Sequence, residues 1–185
     1  MVEEKIKQKK SVSENIIDIA DDITLKIVDS KIELEKSGIK QIVAFNPVYI
    51  NVSYKDNKLK ITAKNKKKTY TSVSNTTKKL VLNAIEGFDK EFTYKLEVVF
   101  SHFPITVKVN GDVVVITNFL GERKPRKTRI MPGCKVVVKD KEITVTGKNK
   151  YLVGQTAANL ERAAKVTRKD YRVFDDGIYI TGKNI

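Results

Sequence analysis

The feature that most constrains the fold of this 185-residue chain is an internal repeat. Residues 105–109 (ITVKV) resemble residues 23–27 (ITLKI) 82 positions earlier, and residues 145–149 (VTGKN) resemble residues 61–65 (ITAKN) 84 positions earlier. Short strand-like segments resemble one another by chance, but here strands, a helix and a further strand also follow in the same order in both halves. The shared order favours duplication over chance similarity.

Alternation of apolar and polar residues predicts the strands of both halves. In the first half it indicates a hairpin at 23–34 that turns at Asp29-Ser30, a possible strand at 42–45 after a turn at Ser37-Gly38, and strands at 48–52 and 59–63 around a turn at 56–58. Later in the chain it indicates strands at 92–98, 105–109, 113–116, 136–138 and 178–180.

Two stretches instead have apolar residues three and four positions apart, the spacing of an amphipathic helix. The first, residues 69–86, is predicted to end at Gly87 and presents a face of Val73, Thr77, Leu80 and Ala84, together with Val81 and Ile85. The second presents Val153, Ala157, Leu160 and Ala164. The sequence therefore predicts an α+β fold of two tandem duplicated domains, each a small antiparallel sheet packed with a helix. A disordered basic tail (1–11) precedes the domains at 12–88 and 89–185.

The charge of the chain indicates an anionic partner. Its formal net charge is +14, and all six arginines lie at or after Arg123, although lysine occurs throughout. The flanking apolar runs predict two strands joined by a long basic connection between Gly121 and Gly133, pinned by Pro125 and Pro132. A compact domain rarely carries so many like charges on one loop unless an anion neutralises them, and arginine pairs with phosphate through two hydrogen bonds.

Nucleic acid fits this pattern, and loops at one end of the sheets are expected to bring several cation clusters together against a phosphate backbone. Most aromatic residues alternate with other apolar residues and are expected in the core, which favours recognition of a folded RNA over base stacking on single strands. For the lysine-rich residues 64–68 a solvated face stays an alternative. The candidate RNA-binding residues are Asn118, Gly121, Arg123, Lys124, Arg126, Lys127, Arg129, Lys148, Lys150, Lys165, Arg168, Lys169 and Arg172.

The residues give no catalytic constellation, so we expect no enzyme, no cofactor, no metal site and no small-molecule substrate. The single histidine, His102, is expected to pack or hydrogen-bond at the domain junction. Cys134 is expected to be a half-buried structural thiol, and Asp175-Asp176 a solvated turn. The chain has no apolar run of membrane length and no signal-peptide core, and its lone cysteine cannot form an internal disulfide, so a cytosolic location is expected.

Four ordered motifs resemble a known family. They are His102-Phe103-Pro104-Ile105, Asn118-Phe119-Leu120-Gly121-Glu122, Arg129-Ile130-Met131-Pro132-Gly133 and Asp176-Gly177-Ile178-Tyr179. Together they resemble the large-ribosomal-subunit protein family numbered six in universal naming and nine in eukaryotic naming, in its archaeal and eukaryotic branch. The first domain departs from the family pattern: Glu35-Lys36-Ser37-Gly38 replaces a Gly-Pro-Arg-Gly-like turn, and the chain has no tryptophan.

The resemblance implies a structural ribosomal protein of the cytosolic ribosome with a duplicated α+β fold. It implies binding of large-subunit rRNA chiefly through the second domain, beside the sarcin–ricin loop where translational GTPases dock, with other large-subunit proteins as neighbours and no membrane partner. In the family, the loop matching residues 121–129 and the segment matching residues 165–172 lie in that second domain. The alternative is a free basic RNA-binding module outside the ribosome.

Overall fold

The computed structural model describes residues 14–167, 169–170 and 172–184, so the predicted tail at 1–11 lies outside the described residues. The chain divides between Ile85 and Glu86 into two compact units, here called unit 1 and unit 2. This division and the sequence-based boundary at 88/89 fall within the same helix. The described residues form small antiparallel sheets and two α-helices, so the predicted α+β class is confirmed.

Unit 1 contains two three-stranded antiparallel sheets rather than one. The first has the order β1-β6-β5, with β1 at Glu14–Asp18, β6 at Lys58–Ala63 and β5 at Ile50–Lys55. The second has the order β2-β3-β4, with β2 at Thr24–Val28, β3 at Lys31–Lys36 and β4 at Ile39–Ala44. Helix α1, Lys68–Asp89, follows β6. No strand was predicted at the position of β1.

The predicted turns of unit 1 are confirmed by backbone angles in the left-handed region. Asp29 (φ 51°) connects β2 to β3, Ser37 (φ 51°) and Gly38 (φ 79°) connect β3 to β4, and Asp56 (φ 50°) and Asn57 (φ 58°) connect β5 to β6. Two-residue connections with positive φ match the twist of the strands that they join. The turn residues therefore fix the register of all three hairpins.

Helix α1 corrects two predictions. It continues through Gly87 to Asp89, because a single helical glycine costs only about 1 kcal/mol relative to alanine and does not by itself end a helix. Its buried face is formed by Ser74, Thr77, Val81 and Ala84, whereas Leu80 is 39% exposed. Asn15 on β1 donates to the Ser74 hydroxyl, so polar contacts as well as apolar ones hold α1. Thr77, Val81 and Ala84 of the predicted face are therefore buried, Leu80 is not, and the buried polar residue Ser74 was not predicted.

Unit 2 likewise contains two antiparallel sheets and one helix. The four-stranded sheet has the order β11-β12-β7-β13, with β7 at Phe92–Val99, β11 at Cys134–Lys139, β12 at Glu142–Gly147 and β13 at Gly177–Asn184. The other sheet has the order β10-β9-β8, with β8 at Thr106–Asn110, β9 at Val113–Thr117 and β10 at Arg126–Arg129. Helix α2 spans Lys150–Ala163.

The two units repeat the same strand pairings. Thr24 faces Glu35 in β2–β3, and their counterparts in the repeat, Thr106 and Thr117, face each other in β8–β9. Ile50 faces Ala63 in β5–β6, as Cys134 faces Gly147 in β11–β12. The offsets read from the sequence are thus the offsets of the paired strands, and the predicted duplication is confirmed.

The predicted face of α2 is the buried one. Val153, Ala157 and Leu160 are fully buried, and Ala164 is 1% exposed. They pack into one apolar core with Phe119, Val114 and residues of the four-stranded sheet. The Asn149 side chain accepts hydrogen bonds from the backbone N–H groups of the first turn and so caps the helix. This core holds in place the strands and the helix that carry the basic residues of unit 2.

Candidate nucleic-acid interface

The predicted long basic connection contains a strand. Residues Arg126–Arg129 form β10, which pairs antiparallel with β9 from Ile116 to Val113. Lys127 and Arg129 are exposed, whereas Arg126 and Thr128 are half-buried because alternate strand residues face opposite sides of the sheet. The prediction of two strands joined by one loop is therefore wrong for this stretch, and its cations fall into an outward and an inward set.

Arg126 is held on the inner side by contacts within the protein. Its Nε and Nη2 atoms donate to the two carboxylate oxygens of Glu122 at 2.9 and 2.6 Å. Its Nη1 atom donates to the backbone carbonyls of Ala163 and Lys165, both at 3.0 Å. The guanidinium carbon lies 4.0 Å from the ring centroid of Phe119. All three guanidinium nitrogens thus have acceptors before any RNA arrives.

This arrangement ties the loop before β10 to the C-terminal end of α2. The last carbonyls of a helix lack intrahelical donors and carry partial negative charge, and Arg126 supplies both hydrogen bonds and charge there. The hydrogen bond from Arg126 also lowers the pKa of the Glu122 carboxyl from its ordinary value. The structure therefore assigns Arg126 a positioning contact, and this makes it less available to an anion than the exposed Arg123 and Arg129.

Asn118 and Gly121 also have structural contacts. Asn118 adopts a left-handed backbone (φ 58°), and its amide donates to the Pro104 carbonyl at 3.0 Å. Gly121 has φ 75°, and a Cβ atom added there would lie 3.4 Å from the Phe103 ring. Both residues set the path of the loop, and the Phe103 ring at Gly121 explains how the His-Phe-Pro-Ile and Asn-Phe-Leu-Gly-Glu motifs belong together.

The remaining cations of the loop and of β10 face outward. Arg123, Lys124, Lys127 and Arg129 are exposed, and among the described residues they have no hydrogen-bonded or ion-paired partner. These cations have no internal hydrogen bond or ion pair that would have to break before they meet a phosphate, and each phosphate that they neutralise releases counterions. They form the part of the predicted set that is free to bind an anion.

The segment after α2 approaches this group at one point. The Lys165 carbonyl accepts from Arg126, and the Lys165 side chain is exposed. The Lys169 ammonium lies 4.3 Å from the Phe174 ring centroid, and the Arg172 backbone N–H donates to Asp170. Arg168 lies outside the described residues. Arg126 therefore holds the backbone of Lys165, the first residue of the second predicted cation cluster, beside the loop that precedes β10.

Lys148 and Lys150 stand at the opposite end of α2. Lys150 begins the helix, and its ammonium lies 5.6 Å from the Phe92 ring centroid. A helix of 14 residues is about 20 Å long, so this pair is separated from Lys165 by roughly that distance along the axis. Between the ends, the backbone N–H of Met131 donates to the Thr156 hydroxyl at 3.3 Å. The turn after β10 thus reaches the middle of α2.

A carboxylate that the sequence placed in solvent is buried. Asp176 is 1% exposed: its Oδ1 accepts from the backbone N–H groups of Ser101 and His102, and its Oδ2 lies 2.6 Å from His102 Nδ1. The His102 ring stacks on Phe174 at 4.6 Å. His102 is hydrogen-bonded as predicted, but its partner lies within unit 2 and not at the domain junction. Asp175 is exposed, and its carboxylate accepts from the Ser101 hydroxyl at 2.7 Å. No local pattern signals Asp176, because its partners lie in a distant part of the sequence.

The environment of Asp176 also sets its titration. Burial alone would raise the pKa of this carboxyl, but the hydrogen bonds from the His102 side chain and from the backbone N–H groups of His102 and Ser101 outweigh burial and lower the pKa. The Cys134 thiol shows the opposite direction, since burial raises its pKa. Cys134 is half-buried, as predicted for a structural thiol.

The described part of the chain contains no cluster of three or more histidine, cysteine, aspartate or glutamate side chains that could hold a metal ion. Neither described helix has the length and apolarity needed to cross a membrane.

Comparison with known proteins identifies the family. The family model described as Ribosomal protein L6 matches residues 103–177. The chain is 40% identical to the large ribosomal subunit protein uL6 of Methanobrevibacter smithii, over 90% of this chain and 94% of the relative. It is 42% identical to that of Methanosphaera stadtmanae, over 91% and 92%, and 38% identical to that of Methanococcus vannielii, over 90% and 92%. The relatives are named as ribosomal proteins, not enzymes, and this chain belongs to the uL6 family of large-ribosomal-subunit proteins.

Proposed function

We propose that this chain is a structural constituent of the large ribosomal subunit that binds large-subunit rRNA chiefly with unit 2. Membership of the uL6 family supports assembly into the large subunit. The observation that carries the RNA contact is the exposure of Arg123, Lys124, Lys127 and Arg129 without acidic partners among the described residues. Each phosphate that they neutralise releases counterions, which supplies affinity without base readout.

The remaining predicted residues have graded roles in this proposal. Lys165 and Lys169 extend the contact from the corner held by Arg126, and Lys148 and Lys150 extend it along α2. Asn118, Gly121 and Arg126 shape the surface. The bound RNA lies near the sarcin–ricin loop, so neighbouring ribosomal proteins and docking translational GTPases are the surrounding partners, and the protein works in the cytosolic ribosome.

Incorporation into subunits tests the proposal. Arg123, Lys127 and Arg129 are all replaced by Gln, which removes three outward charges and leaves the Arg126 contacts in place. The matched control replaces Lys31, Lys55 and Lys79, three exposed lysines of unit 1, by Gln. Sucrose-gradient fractionation then measures the share of tagged protein that co-migrates with large subunits in high salt.

We expect the unit 2 variant to shift strongly to the top of the gradient and the control to stay with the subunit. Equal retention of both variants would contradict the proposed interface. A wild-type protein that remains at the top of the gradient and releases RNA at moderate salt would instead support the free RNA-binding module.

A further inference from the structure

The outer face of the β8–β9–β10 sheet places Lys108, which the sequence-based site does not include, on the same side as Lys127 and Arg129, which it does. Register defines this face: Lys108 faces Val115, which faces Lys127, and Asn110 faces Val113, which faces Arg129. Residues paired directly across antiparallel strands point to the same side. The face, here called the basic sheet face, consists of Thr106, Lys108, Asn110, Val113, Val115, Thr117, Lys127 and Arg129.

The basic sheet face carries three exposed cations and no acid. Lys108, Lys127 and Arg129 are exposed, while Val113 and Val115 between them are half-buried. Lys108, like Lys127 and Arg129, has no hydrogen-bonded or ion-paired partner within the described residues. Because neighbouring strands lie about 4.8 Å apart, Lys108 and Lys127 stand roughly 10 Å apart on the two sides of β9.

The equivalent face of unit 1 carries acids among its lysines. By register, Glu33 lies between Lys26 and Ile42, and Glu35 lies between Thr24 and Lys40. Lys40 lies 3.7 Å from Glu35. In the repeat, Glu33 occupies the position of Val115, and Glu35 that of Thr117. The strand pairing is shared, so the loss of both acids is specific to the face in unit 2.

We propose that the basic sheet face binds the phosphate backbone of RNA and that Lys108 is a further RNA-binding residue. This proposal rests on the proposed function and extends it from the loop to the sheet. The face has no aromatic or large apolar anchor of the kind that carries protein–protein interfaces, and none on which a base could stack. Exposed cations that lie among valine and threonine side chains are complementary to the regularly spaced negative charges of an RNA phosphate backbone.

The first test compares Lys108→Gln with Lys26→Gln in the full chain. Lys26 is the register equivalent of Lys108 in unit 1, is also exposed, and lies beside Glu33. Binding of purified large-subunit rRNA is measured over a salt series. We expect Lys108→Gln to weaken binding and to reduce the slope of log K against log salt by about 0.7 to 0.9, the loss of one phosphate contact, and Lys26→Gln to leave both unchanged. Equal slopes for the two variants would overturn the proposal.

The second test introduces at Val115 of unit 2 the glutamate that unit 1 carries at the equivalent position, Glu33. Val115→Glu places a carboxylate between Lys108 and Lys127, whereas Val115→Thr changes the side chain without charge. We expect the first to weaken rRNA binding several-fold more than the second. Similar binding by both folded variants would overturn the proposal, and if Val115→Glu does not fold, the Lys108→Gln slope decides.

These outcomes distinguish a failure of the proposal for the basic sheet face from a failure of the proposed rRNA-binding function. If wild-type protein binds no large-subunit rRNA, the proposed function fails. If the Arg123, Lys127 and Arg129 triple variant loses binding while Lys108→Gln keeps the wild-type slope, the proposed function stands and only its extension to Lys108 fails. Loss of a protein partner with unchanged rRNA binding would point to an acidic protein on this face and would also overturn it.

Discussion

The β2-β3-β4 sheet of unit 1 and the equivalent β8-β9-β10 sheet of unit 2 differ in the connection that leads to their third strand. In unit 1 a two-residue turn, Ser37 and Gly38, joins β3 to β4; in unit 2 the longer segment 118–125 joins β9 to β10. The strands that follow occupy equivalent positions, because Gln41 pairs with Leu34 as Arg126 pairs with Ile116. Duplication thus preserved the pairing and the core, while the connection and the surface of unit 2 acquired arginine.

The difference shows which parts of the repeat are constrained. Leu34 and Ile116, which are equivalent in the repeat, are both fully buried, since a residue that fills a core cannot change polarity without a large loss of stability. The outward positions of the same strands carry glutamates in unit 1 and valine and threonine in unit 2. Surface positions are free to change because most exposed substitutions alter stability little.

The largest expected effect concerns the buried helix face. Leu160→Ala in α2 should lower the free energy of unfolding by about 2–5 kcal/mol, because it removes a fully buried side chain and leaves a cavity. Leu80→Ala in α1, where the side chain is 39% exposed, is the matched control and should cost much less. Urea denaturation of both variants checks this difference. A loss below about 0.5 kcal/mol for Leu160→Ala would mean that the helix face is wrongly assigned.

The next effect tests the buried carboxylate of unit 2. Asp176→Asn should cost about 2–3 kcal/mol at neutral pH, since it weakens hydrogen bonds made to a charged group. The pKa of Asp176 is lowered in the folded state, so its stabilisation is present above the unfolded pKa of about 4 and is lost as pH falls through the lower folded pKa. Denaturation at pH 7 and below pH 4 should show the difference between wild type and variant shrinking. A difference independent of pH would exclude the charge as its cause.

A smaller loss of stability is expected when Arg126 is replaced by glutamine, the residue at the equivalent position of unit 1, Gln41. Arg126→Gln leaves Glu122 and the carbonyls of Ala163 and Lys165 without their donor and should cost about 1–2 kcal/mol for this partly exposed group. Hydrogen exchange of residues 119–125 should become faster. Arg126→Lys, which keeps the charge but lacks the fork, should restore little of the protection. Wild-type exchange in Arg126→Gln would show that Arg126 does not position the loop.

The smallest effect on stability is expected for the triple variant that should strongly weaken RNA binding. The Arg123, Lys127 and Arg129 triple Gln variant should stay within about 0.5 kcal/mol of wild type per substitution, because these side chains are exposed and unpaired among the described residues. Thermal unfolding of the isolated protein checks this expectation. A marked loss of stability would show that these cations belong to the fold rather than to the interface.

The sequence anticipated the elements that local chemistry specifies. Turn residues such as Asp56 and Asn57 and the alternating strands between them were predicted because their backbone preferences act over two or three residues. Strand β10 was missed, because four residues with two exposed cations have no apolar alternation, and its pairing with β9 supplies the stability that propensity lacks. Ser74 of α1 was missed for a similar reason, since it is buried but polar and apolar spacing does not signal it.

The residues of the candidate site likewise divide into those that the sequence identified and those that only the structure distinguished. The sequence identified an arginine-bearing half and placed Arg123, Lys127 and Arg129 in it, because composition and spacing are visible along the chain. It did not separate Arg126 from them, since the Ala163 and Lys165 acceptors are 37 and 39 residues away. It also did not group Lys108 with Lys127, because Lys108 is isolated in sequence and shares a face with other cations only through strand pairing.

The sequence by itself thus determined that the chain repeats an α+β unit, where its cores lie and which half carries the arginines. Those properties follow from periodicity and composition, which are local. Only the tertiary structure decided which cations are outward and unpaired, which one is held inside, and that one acid is buried. The physical reason is that the availability of a charge depends on the acceptors within a few ångströms of it, and folding brings those acceptors from distant parts of the chain.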